Sequence, residues 1–206
     1  MTRMEQRLGD LKVSAALEAI ASRTPSPGGG AAVALAAAVA AALGEMVANY
    51  AAARKSSAEH RGLIEAHGRA LGEARNSLLE LVDDDARAYQ ALSDAMAQQK
   101  RGEADAHAVG LAAQLAAATP MATIEACEQV IAALEGLGPH AGWLVSDLVA
   151  SAALIGSAAR GAVGHVQANA PLMNKAALDG QAIVARARAA ANDVAGRADA
   201  LVAAMQ

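Results

Sequence analysis

TPSPGGGAAVALAAAVAAALGEMVANYAAA, residues 24–53, is the stretch that decides the fold. It opens on two prolines and three glycines, the strongest break in the chain, and continues as an alanine-rich segment. Its reading is a helix from about Gly30 to Ala53 whose small side chains let neighbouring helices approach closely. The rest of the composition agrees. Hydrophobic residues make up 54% of 206, yet Phe is absent, Trp143 is the single tryptophan, Tyr50 and Tyr89 are the only tyrosines, and roughly 60 residues are alanine. A pleated sheet needs β-branched and aromatic residues, whereas Ala, Leu, Glu, Gln and Arg favour helix, so the chain is predicted to be all-α.

Outward from that helix, Leu11 to Ser22 reads as a first helix with Val13, Leu17 and Ile20 at helical spacing. On the other side, a long helix is predicted from a Ser57 N-cap to about Gln98. Reading it by sevens gives Ile64, Leu71, Leu78, Asp85 and Leu92, so an acid stands where a core residue is expected. At about 100° per residue, Asp84 is displaced to one side and Asp83 lies nearly opposite. A carboxylate on an apolar face must find partners or have its pKa raised. Asp85 is therefore a functional acid, a core partner of an arginine in a neighbouring helix, or the point where the stripe rotates.

A fourth helix is predicted over about Glu103 to Glu135, kinked or restarted near Thr119 by Pro120. A fifth spans about His140 to Ala168 and is stopped by Pro171, with Asp147 as a lone acid that is either functional or a helix-start feature. The last runs from Lys175 to Met205 with Ile183, Val184, Val194 and Leu201 on one side. No repeat or linker divides the chain, so residues 1–206 are expected to form one multihelical bundle of long and short helices. Thin alanine layers bury little area, which predicts a homodimer.

A formal charge of −4, no long basic run and almost no rings for base stacking exclude nucleic-acid binding. Ala31–Leu43 and Ala141–Ala159 read as buried helices and not as membrane spans. The charged opening, Met1 to Asp10, is unlike a secretory signal, and one cysteine makes no internal disulfide, so a cytoplasmic location is expected. Cys127, among Ile124, Ala126 and Val130, reads as a small buried thiol.

The histidines make a metal site improbable, because His60 and His67 share a helix face but lie two turns apart, too far to chelate one ion without a third element. Ser26 lacks a nucleophile-elbow pattern. The Pro25 to Gly30 turn before a helix offers backbone N–H groups at a positive dipole end, or else simply permits close packing. It lacks the Lys and Ser/Thr of a P-loop.

Thr24 to Gly30 with Met46-Val47-Ala48-Asn49, then Asp83-Asp84-Asp85-Ala86-Arg87-Ala88-Tyr89, Pro120-Met121 leading to Cys127, and Ser146-Asp147 together resemble the formiminotransferase-cyclodeaminase C-terminal domain family, which includes free-standing methenyltetrahydrofolate cyclohydrolases. The resemblance implies an all-α dimer binding a tetrahydrofolate derivative between helices as substrate, with no tightly bound cofactor. It implies hydrolysis of 5,10-methenyltetrahydrofolate to 10-formyltetrahydrofolate with Asp85 as general acid/base, or alternatively cyclodeamination of 5-formiminotetrahydrofolate. Ser26, Pro27, Gly28, Gly29 and Gly30 would hold the ligand, Lys100 would meet a folate carboxylate, and Asn49 and Asp147 would orient the pterin.

Two departures bear on the chemistry. A family Gly-Asn-x-Asn stretch reads His140-Ala141-Gly142-Trp143 here, and an Asn-Val-x-x-Asn stretch reads His165-Val166-Gln167-Ala168-Asn169, keeping only Asn169. Missing amides leave polar groups of a ligand unmatched, at about 1 to 3 kcal/mol each. That favours an accessory, folate-binding chain that has lost the reaction, whereas the retained Asp85 and a new acid/base candidate, His165, favour an enzyme. Asp147 and His165 are 18 residues apart, about 27 Å of helix, so they share a site only across a break or a second subunit.

Overall fold

A computed structural model describes residues 8–205. Among these there are six α-helices and no strand: α1 (Val13–Ala21), α2 (Gly29–Ala53), α3 (Arg61–Lys100), α4 (Ala106–Leu137), α5 (Val145–Lys175) and α6 (Gly180–Ala204). The all-α expectation holds. α2 to α5 form an up-and-down bundle, with α6 packed on α5 and, less extensively, on α4.

Small residues set the register. Gly44 of α2 faces Leu71 of α3 and Leu134 of α4, and Gly68 of α3 faces Ala48. The buried Ser151 hydroxyl donates to the Ala40 carbonyl at 2.7 Å, fixing α5 antiparallel to α2. The main core gathers Ile64, Leu71, Leu78, Ile124, Ile131, Leu134, Leu148 and Ile155 around the alanines of α2. α2 and the segment Gly142–Lys175 are long and apolar enough to cross a membrane by length and composition, but about half of each is buried in the bundle.

Several boundaries differ from expectation, each for a local reason. α3 begins at Arg61 because Ser57 lies in a 3₁₀ turn, Lys55–Ser57, and caps nothing. α4 starts from an Asp105 cap, whose carboxylate accepts the Ala108 N–H at 2.8 Å, and runs unbroken through Pro120. α5 likewise continues past Pro171. Its end is set later, where Ala177 adopts φ 57° and the Asn174 side chain accepts the Gly180 N–H at 2.9 Å. That turn delays α6 to Gly180, capped by Asp179. In α1 the spacing misleads: Val13 and Leu17 are exposed and the buried residue is Ala16. The aspartate run is corrected as well. Asp83, expected opposite the core, is 8% exposed because its carboxylate accepts the Leu8 N–H at 2.7 Å, from the 3₁₀ turn Leu8–Asp10.

Candidate functional site

Asp85 interrupts the α3 stripe where α3 passes the first turn of α2. One carboxylate oxygen accepts the Ala31 N–H at 3.0 Å, one of the first-turn donors that a helix leaves unpaired. The approach is possible because Gly30 has no side chain: a methyl group there would lie 2.6 Å from Asp85 Cγ. Gly29 does the same for α5, since its methyl would lie 2.6 Å from His165 Cε1 and 2.8 Å from Nε2. Neither glycine is chosen for an unusual φ. Each makes room for one titratable side chain.

Around these groups lies a cavity of about 290 Å³. The loop contributes Pro25, Ser26 and Gly28; α2 contributes Gly29 and Gly30; α3 gives Asp85, Tyr89 and Leu92; α4 gives Ala116; α5 gives His165, Ala168 and Asn169. The Ser26–Pro27 peptide is cis, and the Ser26 hydroxyl oxygen is buried without a hydrogen-bond partner among the described residues. A buried hydroxyl left unmatched at a cavity wall is a place where a polar ligand group gains a partner. Burial pushes the Asp85 carboxyl above the ordinary carboxylate range, partly offset by the Ala31 N–H and by the charge of His165. Asn169 donates to the His165 carbonyl at 3.0 Å within α5.

Along α3 a second cavity of about 240 Å³ shares Tyr89 and Leu92 with the first and continues over Ser93, Met96 and Ala97 to Lys100. Ser26, Gly28, Gly29, Gly30, Asp85, His165 and Asn169 thus meet in one place, with Lys100 at the far end of the adjoining groove. Pro27 is held between two lining residues. Asn49 and Asp147 are not brought there. Asn49 is 20 residues beyond Gly29 on an unbroken helix, about 30 Å away, and lines another cavity with Glu45, Glu65 and Arg69. Asp147 stands in the first turn of α5, which does not break before His165. Tyr89, Leu92 and Ala116 line the cavity unannounced by the sequence reading; Tyr89, one turn after Asp85 on the same face, carried the signal.

Elsewhere, Cys127 is fully buried, its thiol pushed up to about 12 by desolvation, which leaves it inert as a nucleophile. At the end of the bundle opposite the cavity, the rings of His60 and His140 lie 5.0 Å apart and Trp143 packs edge-on against Tyr50.

A family model described as formiminotransferase-cyclodeaminase matches residues 12–190. The chain belongs to this family. The formiminotransferase-cyclodeaminase match covers every residue of the cavity and both Asn49 and Asp147. The fold is that of the crystal structure of formiminotetrahydrofolate cyclodeaminase from Thermotoga maritima, with a TM-score of 0.82 and 24% identity over 95% of this chain and 98% of that one. No curated protein sequence matches this member of the formiminotransferase-cyclodeaminase family.

Proposed function

We propose that this chain is a folate one-carbon enzyme that hydrolyses 5,10-methenyltetrahydrofolate to 10-formyltetrahydrofolate, with Asp85 as the general acid/base. The observation that carries the reading is the Asp85 carboxyl held against Gly30 and the Ala31 N–H inside the cavity, with its pKa raised toward the working range of a proton-transfer group. The folate is substrate, and no tightly bound cofactor takes part. Aromatic stacking on a pterin rests on Tyr89 alone, so recognition falls to the loop Pro25–Gly28, the Ser26 hydroxyl and Asn169. Lys100, about 22 Å along α3 from Asp85, suits the carboxylate end of an elongated ligand lying in the continuous groove.

The same cavity serves cyclodeamination of 5-formiminotetrahydrofolate, because both reactions pass through a tetrahedral carbon between two nitrogens. This second reading takes up the activity of the Thermotoga maritima protein, a formiminotetrahydrofolate cyclodeaminase. The chain is further proposed to act as one domain, in the cytoplasm, as a homodimer. Asn49 and Asp147 would then serve the site only from a second subunit.

The test follows the ultraviolet absorbance of 5,10-methenyltetrahydrofolate mixed with purified protein. Loss faster than the spontaneous rate, reduced about 10²-fold or more in Asp85→Asn, supports the hydrolase. No loss above the spontaneous rate sinks it, and ammonia release from the formimino compound then identifies the deaminase. Calorimetric binding of a reduced folate without either reaction would mark an accessory folate-binding chain.

A further inference from the structure

The glycine step at the start of α2 does more than admit one acid. Its two consecutive Cα atoms pack on two different titratable side chains, His165 from α5 and Asp85 from α3, and both line the same cavity. The two are close enough for the imidazole to act on the carboxyl electrostatically. His165 packs on the Gly29 main chain of α2 and shares the cavity with Asp85 and Tyr89 of α3 and Ala116 of α4. From α6, Arg188 donates to the Gln167 side-chain oxygen at 2.9 Å. Among the residues lining the cavity, Asp85 is therefore the charged partner of the imidazole.

From this arrangement we infer that His165 is a second proton-transfer residue, which protonates the nitrogen leaving the amidine carbon while Asp85 takes the proton of the incoming nucleophile. The assignment rests on the folate reading above. In the hydrolytic direction the water oxygen bonds to the amidine carbon and one water proton passes to the Asp85 carboxylate. The bond from carbon to the departing nitrogen then breaks, its electron pair staying on nitrogen, which takes a proton from the His165 imidazolium. The hydroxyl proton returns to the imidazole as the carbonyl forms, and Asp85 releases its proton to solvent. One substrate cation and one water thus give one neutral formyl product and one proton. In the cyclodeamination the secondary amine that closes the new ring is the nucleophile: Asp85 takes its proton as the carbon–nitrogen bond forms, and the NH2 of the protonated formimino group takes a proton from the His165 imidazolium and departs as ammonia with the electron pair of the broken bond, leaving the methenyl cation. Two groups from two helices suit a tetrahedral carbon whose entering and leaving atoms lie on different sides, which a single carboxyl cannot serve at once.

The experiment measures kcat and KM against pH for the wild-type chain, His165→Ala and Asp85→Asn on 5,10-methenyltetrahydrofolate and the formimino compound, with far-ultraviolet circular dichroism as a folding control. The expected result is a kcat lowered about 10²-fold in His165→Ala with little change in KM, and a kcat–pH profile altered from that of the wild type. Free imidazole should restore part of the rate in His165→Gly. A His165→Ala protein with wild-type kcat and an unchanged pH profile, beside an inactive Asp85→Asn, overturns the assignment and leaves the folate reading standing. A wild-type chain that turns over neither compound overturns both.

Discussion

Asp85 is held by opposing influences: removal from water disfavours its charge, while the Ala31 N–H and His165 favour it, and desolvation is the larger. The folded protein therefore binds the Asp85 proton more tightly than the unfolded chain does. That contribution to stability is fully present below the unfolded carboxylate pKa, about 4, and is lost as pH rises through the raised folded value. At neutral pH the carboxylate is a net cost. Asp85→Asn, which keeps an oxygen for the Ala31 N–H, should raise Tm at pH 7 by on the order of 2 °C, with the gain shrinking toward pH 4. Scanning calorimetry at several pH values checks this, and an Asp85→Asn Tm below wild type at pH 7 would contradict it. Asp85 was legible because a seven-residue reading exposes an acid among leucines. Asp83 was not, because its partner is a main-chain N–H 75 positions away, which no helical period reveals. Asn49 and Asp147 match the family pattern as letters, but the rigid lengths of α2 and α5 put them at the other end of the molecule.

At the scale of the element, the helices were easier to read than their ends. The alanine-rich α2 was placed to within one residue at its start, because proline and glycine punctuation there is unambiguous. Pro120 predicts a kink or restart and Pro171 a stop, yet α4 and α5 both continue through them, held on flanking helices along their length. The true stop of α5 depends on the Asn174 amide, a side-chain contact without a periodic signature. Close approach of α2 to its neighbours is tested at Gly44. An added methyl would stand 2.6 Å from Leu134 Cδ2 and 3.3 Å from the Leu71 methyl groups, and both leucines are fully buried with nowhere to move. The better helix propensity of alanine returns at most about 1 kcal/mol, against about 1 to 3 kcal/mol for overpacking. Gly44→Ala is thus expected to lose roughly 1 to 2 kcal/mol in urea unfolding; an unchanged midpoint would mean the three helices are looser than they stand here.

For the whole molecule, composition foretold both the fold and its weakness. Alanine layers bring helices close but leave the outer sides of α2 and α5 apolar, with Val39 at 53% and Leu154 at 38% exposed. A second copy of the chain, offering the same pair of antiparallel helices, is the occupant proposed for that surface. Sedimentation velocity at micromolar concentration should therefore give a dimer for the wild type and a monomer for Val39→Glu; a monomeric wild type would contradict the proposal. What composition could not say is which end of the bundle carries chemistry, since that depends on how α3 and α5 meet the glycine step. The answer has an optical consequence. Trp143, the sole indole, is 71% exposed at the end of α5 opposite His165, about 30 Å from it. Its emission starts from a wet environment and answers to whatever covers that end of the bundle, whereas a ligand entering the cavity touches only the phenol of Tyr89. Indole light thus reports on one end of the molecule, and only the Tyr89 share of the phenol light reports on the other, since Tyr50 lies beside Trp143.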